Sequence, residues 1–326
     1  MSDDVLKTKN NYRWISLHIS NIEPDIELPA PIYFFINGKF IEFKQKGDIL
    51  PSEKYEQLIL RKLPYFFIAA NSIDVFDQWI EKIRINNLES IAVNAGLENK
   101  ELITLKQVIK GHIARVFSGD MSDKAISSVT WETRSFVKII GESPVADVSF
   151  VKMSESSRNI VEHSVNVAIL SVYLAHHLGY KQLKILESIF LGGLFHDIGK
   201  TTLDVQYYEE HNLDVLKQKL KEHPIIGRQA LQSNIQIGEE VLRIIEEHHE
   251  HNDGSGYPYE KRGAQLYDLS KLVSIADAFD NYVKNCPGNL TEKSLFAIQQ
   301  LEKDNGNIFD PQKLLKAIRA LRLGIK

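Results

Sequence analysis

The chain has 326 residues, 43% of them hydrophobic and 25% charged, with a net charge of −4, which is an ordinary globular composition with material for two domains. That mild acidity argues against a nucleic-acid groove or a polybasic membrane anchor and leaves room only for a local basic pocket. The single cysteine, Cys286, excludes an internal disulfide framework and a multi-cysteine zinc cluster, so a reducing, cytoplasmic setting is expected.

The opening MSDDVLKTKNNYR is polar and lacks a leader pattern. The apolar runs LPYFFIAA and SIFLGGLF fall far short of the ~20 residues that a membrane span needs. Residues 1–86 read as a small α/β module. Trp14 to Ile19 and Ile32 to Ile36 are strand-like, Asn37-Gly38 is a type I′ turn signal, and Lys39 to Phe43 pairs back as a hairpin. Pro51-Ser52-Glu53 opens a short helix, Tyr65 to Ala69 is a buried strand, and Asp74 to Ile85 has helical spacing at Val75, Trp79, Ile80 and Ile83. No catalytic cluster falls here. The module is expected to regulate, or to dock signalling-protein partners.

Residues 87–150 read as a helical connector. Leu102, Leu105, Val108, Ile109, Ile113 and Val116 recur every three or four residues, and a second run covers Ile126 to Ile140. Such a pair either joins a module to its neighbour or packs against a second copy, which leaves a homodimer open. Gly141-Glu142-Ser143-Pro144 breaks the pattern.

Residues 151–326 are almost all helix. Ser154 to Leu178 predicts a long amphipathic helix ended by Gly179, with His163, Val167, Leu170, Leu174 and His177 on one face. The next helix runs from about Gln182 into His196, with Gly192 and Gly193 allowing a backbone or a ligand close approach. His223 precedes a proline at a helix mouth. The helix Glu239 to Glu250 carries His248 inward, with His249 about 100° round. The helix Leu269 to Val283 places Asp277 and Asp280 in line with Leu269 and Val273.

The inward set is then His163, His196, Asp197, His223, His248, His249 and Asp277. A lone inward histidine is usually a hydrogen-bonded core residue, and His176, His177 and His211 are read so, or as surface residues. Seven such groups on converging segments would each need a partner. They are too many for one ion with open positions but suit two, with Asp197 as the bridge. A donor set of nitrogen and oxygen without thiolate favours iron, then manganese, over a structural zinc.

The motifs HDIGK from His196 to Lys200, His223-Pro224, HHEHNDGSGYP from His248 to Pro258 and ADAFD from Ala276 to Asp280 resemble the HD-GYP domain, a branch of the HD superfamily of metal-dependent phosphohydrolases. The resemblance covers about residues 155 to 325. It implies a mainly α protein with an all-helical C-terminal bundle that hydrolyses cyclic di-GMP. It makes the same seven residues the metal ligands, puts Lys200 on a substrate phosphate, and lets the Asp253–Pro258 loop, with Gly256 and Tyr257, line or brace the pocket. Two cations and Lys200 would draw in a phosphodiester for in-line attack by a metal-bridging hydroxide, Asp197 serving as the bridge.

The sequence departs from the family at three places. Asn159 stands where some members have a glutamate that holds a third metal, so two metals are expected. Glu260-Lys261 replaces the usual Gly-Leu after the GYP run. The segment FDNYVKNCPGNLTEKS lacks the arginine of the family's substrate loop, a role that Tyr282 or Lys284 would have to take. Three functions follow: a cytoplasmic cyclic di-GMP phosphodiesterase, a degenerate member that binds metal and cyclic di-GMP or protein partners as a receptor, and a phosphohydrolase for another nucleotide or phosphoester.

Overall fold

The computed structural model describes residues 5–7, 13–61, 63, 65–95, 99–142, 157, 159–202 and 213–325. Strands β1 (Val5–Lys7), β2 (Arg13–His18), β3 (Ile32–Ile36), β4 (Lys39–Lys44) and β5 (Tyr65–Ala69) form an antiparallel sheet in the order β1-β2-β5-β3-β4. The β3–β4 hairpin turns at Asn37 and Gly38, both with positive φ (50° and 79°), as the type I′ signal predicts. Strand alternation buries Ile32, Phe34, Phe66 and Ile68 on one face. The other face carries an aromatic ladder in which Phe40 stacks on Trp14 at 4.3 Å and meets Phe67 edge-on at 5.1 Å.

Helix α1 (Ser52–Leu60) follows the hairpin, and α2 (Ile73–Ala95) follows β5 and runs past residue 86 without a break. Among its described side chains the buried one is Phe76, not Val75, which is 48% exposed. The strand-like stretch before α2 disguises which of two adjacent apolar residues the first turn buries. Helices α3 (Lys100–Phe117) and α4 (Asp123–Glu142) form the expected helical pair. Val108 lies outside the buried stripe of Leu102, Ile103, Ile109, Ile113 and Val116.

The C-terminal part consists of α5 (Ile160–His177), α6 (Leu183–Phe195), α7 (Leu213–Leu220), α8 (His223–Leu231), α9 (Glu239–Glu247), α10 (Asp268–Lys284), α11 (Leu290–Leu301) and α12 (Pro311–Ile325). Helix α5 begins later than the polar run from Ser154 suggests. Asn159 is extended, and its side chain accepts from the Val161 and Glu162 amides, capping the helix. Ser154 itself lies outside the described residues.

Helices α5 and α6 pack backbone to backbone. A Cβ on Gly193 would stand 2.7 Å from the Ala168 Cα, and one on Gly192 would run into Ile244. The close neighbour of this glycine pair is therefore protein. Phe136 of α4 meets Phe190 of α6 at 5.0 Å, and one hydrophobic core runs from the sheet through α3 and α4 into the bundle. Among the described residues no helix is long and apolar enough to cross a membrane.

Candidate metal centre

Five segments deliver polar side chains to one buried point. His163 comes from the first turn of α5, His196 and Asp197 from the end of α6, and His223 from the start of α8. His248 and His249 follow the last turn of α9, and Asp277 lies midway along α10. Helix α9 ends at Glu247, so His248 is its cap and His249 lies in the turn beyond, which lets two consecutive rings face the same space.

Their donor atoms form two groups, His163, His196 and Asp277 in one and His223, His248, His249 and Asp197 in the other. Asp197 faces both. Its Oδ2 lies 3.4 Å from His196 Nε2 and 3.8 Å from His163 Nε2, while its Oδ1 lies 3.1 Å from His223 Nε2 and 3.9 Å from His248 Nε2. Asp277 Oδ1 closes the first group at 3.0 Å from His163 Nε2.

Bonds behind the rings fix which nitrogen faces inward. The Nδ1 atoms of His196, His223 and His248 lie 2.6–2.8 Å from the carbonyls of Gly193, Leu220 and Ile245, to which they donate. His163 Nδ1 donates to Asp280 Oδ2 at 2.7 Å, and Asp280 also accepts from Ser157 and Asn166. Each Nε2 therefore turns toward the cluster, as in metal-ligating histidines. His223 and His248 set their Nε2 atoms 3.2 Å apart, an arrangement in which two lone pairs repel unless a cation or proton intervenes. His196 Nε2 and Asp197 Oδ1 are buried without a hydrogen-bond partner. Orphaned atoms of this kind, in a set of imidazoles and carboxylates, fit divalent cations.

The electrostatics differ between the groups. Burial opposes ionisation of His163, but Asp277 and Asp280 outweigh it and raise its pKa to about 10. Burial also works against Asp197 and Asp277, yet His196 and Lys200 hold the first, and His163 the second, below the usual carboxylate range. His249 is pushed down to about 3 by burial, and burial beside His249 and His196 likewise keeps His248 neutral.

Lys200, in the short 3-10 helix Ile198–Thr202, donates to Asp197 Oδ2 at 2.7 Å. Tyr257 lies at the centre, its ring 4.7 Å from that of His249, with its amide donating to the His249 carbonyl. Gly256 packs so tightly on the backbone of His249–His251 that no side chain fits. Asp253 is exposed and its carboxylate accepts from Ser255, so it shapes its own loop. Tyr282 is half-buried and Lys284 exposed at the end of α10; neither has a direct bond to the seven-residue cluster.

Several contributors lie outside the residues singled out from the sequence. Asn281 donates to Asp277 Oδ1 at 2.7 Å. Buried Glu250 accepts from the amides of Tyr259 and Lys261, and buried Glu247 from the Tyr267 amide and the Lys261 ammonium. The two glutamates thereby tie the loop, including Lys261 at the departure from the family pattern, to the His248–His249 turn. Asp280 had a signal, since it shares the Asp277 face, but its role behind His163 emerges only from the packing.

The family model described as HD domain matches residues 160–282. A cyclic di-GMP phosphodiesterase of Pseudomonas aeruginosa is 28% identical over 180 residues, 55% of this chain and 43% of that protein. A cyclic di-GMP phosphodiesterase of Thermotoga maritima is 28% identical over 156 residues, 46% and 41% of the two chains. The 3'3'-cGAMP-specific phosphodiesterase 1 of Vibrio cholerae is 30% identical over 154 residues, 45% and 35%. Each match spans less than half of the relative's own length. An HDG"Y"P protein of Bdellovibrio bacteriovorus has the same fold, with a TM-score of 0.61 at 24% identity over 95% of this chain and 99% of that one. All seven clustered residues fall within the span 160–282 that matches the HD domain model, in line with the HD-GYP resemblance.

Proposed function

We propose that the protein is a metal-dependent phosphodiesterase that cleaves cyclic di-GMP. The observation that carries this reading is the position of Asp197, one oxygen toward each of two histidine groups. His163, His196 and Asp277 would hold one cation and His223, His248 and His249 the other, with Asp197 shared; iron suits this donor set best and manganese next. Bound there, the cations would supply Lewis-acid charge and an acidified water for in-line attack on phosphorus.

The chain's own residues do the rest. The carbonyls of Gly193, Leu220 and Ile245 hold three rings in one tautomer, and Asp280 holds the fourth. Lys200 takes a non-bridging phosphate oxygen at the rim, where its charge adds to that of the cations. Tyr257 walls the His223–His249 side against water. The names of the relatives support the nucleotide class.

A second reading has one specific observation behind it. The segment after Asp280 carries no arginine, and Lys284 and Tyr282 stand in its place without direct bonds to the cluster. A receptor that binds the nucleotide without cutting it would need no more. Iron- or manganese-loaded protein incubated with cyclic di-GMP separates the two. Linear dinucleotide or GMP in the chromatogram supports the enzyme, binding without turnover supports the receptor, and no binding overturns both.

A further inference from the structure

Helix α1 belongs to the N-terminal module, yet it packs against the 3-10 helix Ile198–Thr202 that carries Lys200. Two fixtures set its position. Tyr55 is buried, in the electrostatic field of a half-buried trio in which Lys110 of α3 pairs with Glu23 of the module at 3.3 Å and with Glu162 of α5 at 3.0 Å. Glu162 adjoins His163, so the trio ties module, connector and HD domain together beside the cluster. The buried stripe Tyr55, Leu58 and Ile59 then sets the rotation of α1.

Glu56 follows Tyr55, about 100° round the helix. It is half-buried and lies within the fields of Lys284, Lys200, His163 and Asp197. Lys200 feels it in return. Burial raises its carboxyl pKa against the pull of Lys284 and Lys200. A carboxylate only accepts hydrogen bonds, so at the rim of an anion-binding site it repels phosphate. It serves a ligand there only through hydrogen-bond donors.

We infer that Glu56 is a specificity residue contributed by the N-terminal module, accepting hydrogen bonds from the paired N–H donors on the edge of a guanine whose phosphates lie toward Lys200. The inference rests on the cyclic di-GMP reading above and deepens it. A guanine edge offers N1–H and N2–H side by side, which matches the two oxygens of one carboxylate. An adenine edge offers one donor beside an acceptor, which a carboxylate repels and a carboxamide accommodates. The module would thus be part of the substrate site.

The test uses the full chain loaded with manganese, titrated calorimetrically with cyclic di-GMP and with cyclic di-AMP, for wild type, Glu56→Ala and Glu56→Gln, with elemental analysis of each preparation. Expected is a loss of about tenfold or more in cyclic di-GMP affinity for both variants, roughly the worth of a hydrogen bond to a charged group. Cyclic di-AMP binding should be unchanged in Glu56→Ala and tightened in Glu56→Gln, with metal content constant. Equal weakening toward both nucleotides, unchanged affinity for cyclic di-GMP, or loss of metal overturns the inference and leaves the phosphodiesterase reading standing. Wild type that binds neither nucleotide overturns that reading, and the inference with it. The isosteric Glu56→Gln keeps the test valid if the alanine variant misfolds.

Discussion

The two halves of the centre are built from opposite electrostatic materials. The half around His163 carries a carboxylate of its own, Asp277, and has Asp280 directly behind the ring, so in the absence of a cation His163 holds a proton up to a pKa of about 10. The half around His248 and His249 has only imidazoles beside the shared Asp197, and burial keeps those two rings neutral, His249 down to about 3. A cation entering the first half displaces a proton and meets formal negative charge. One entering the second meets neutral lone pairs with nothing to displace. Two cations held there as proposed would therefore sit in surroundings that differ in hardness and in how pH bears on loading, although Asp197 faces both groups.

The strongest way to break this comparison is to remove the shared group. Asp197→Ala should take the protein from about two bound ions per chain to nearly none, read by elemental analysis after dialysis; full occupancy would refute the shared role. Asp280→Asn sharpens the contrast by touching one half alone. It should weaken one cation by about 10–100-fold, with the other unchanged in a competitive chelator titration. Equal weakening of both would mean that the halves are not separable. Lys200→Ala lies outside the donor set, so metal content should hold while nucleotide affinity falls by about 1.5–3 kcal/mol, the range for a charged hydrogen bond. Unchanged affinity would remove Lys200 from the substrate contacts.

The smallest effect concerns a half-buried histidine outside the seven-residue cluster. His18 lies between Ser20 and Ser118, and burial, with Arg115 assisting, lowers its pKa from 6.5 to about 4. The unfolded chain takes the proton first on acidification. Stability from this residue is therefore intact above about pH 6.5 and lost as the pH falls toward about 4. After discounting for solvent screening the loss is about 1–2 kcal/mol, visible as a falling melting temperature that His18→Gln should flatten. An unchanged slope in the variant would assign the acid sensitivity elsewhere.

Of the seven clustered side chains, His163 and Asp277 were legible from helical spacing. The other five were legible because they sit in short motifs with strong local grammar: a His-Asp pair at a helix end, a histidine ahead of a proline, two histidines before a Gly-rich loop. The type I′ hairpin was legible for the same reason. What escaped depends on tertiary neighbours. Asn159 looks like a vacant ligand position by alignment with the family and is in fact a helix cap, because only the packed backbone shows where α5 begins. Asn281, Glu247 and Glu250 bond across gaps of 4 to 20 residues, and Lys110 joins partners 87 and 52 positions away. Asn281 and Asp277 are one helical turn apart on α10, but no periodicity marks the longer-range pairs. Glu56 is the extreme case, a solvent-type residue on a short amphipathic helix whose meaning depends on where a different part of the chain docks.

The contact between Gly193 and Ala168 carries a consequence for the whole centre. The two main chains touch where a methyl group would have to stand, and His196 Nδ1 is anchored on that same glycine's carbonyl. The gap between the rings of His163 and His196, 5.1 Å between centroids, thus lies between two helices whose main chains touch. A cage calibrated in this way would discriminate bound cations by radius as well as by charge. A single added carbon at Gly193, pressed on the Ala168 main chain, would retune it without altering any of the seven clustered side chains.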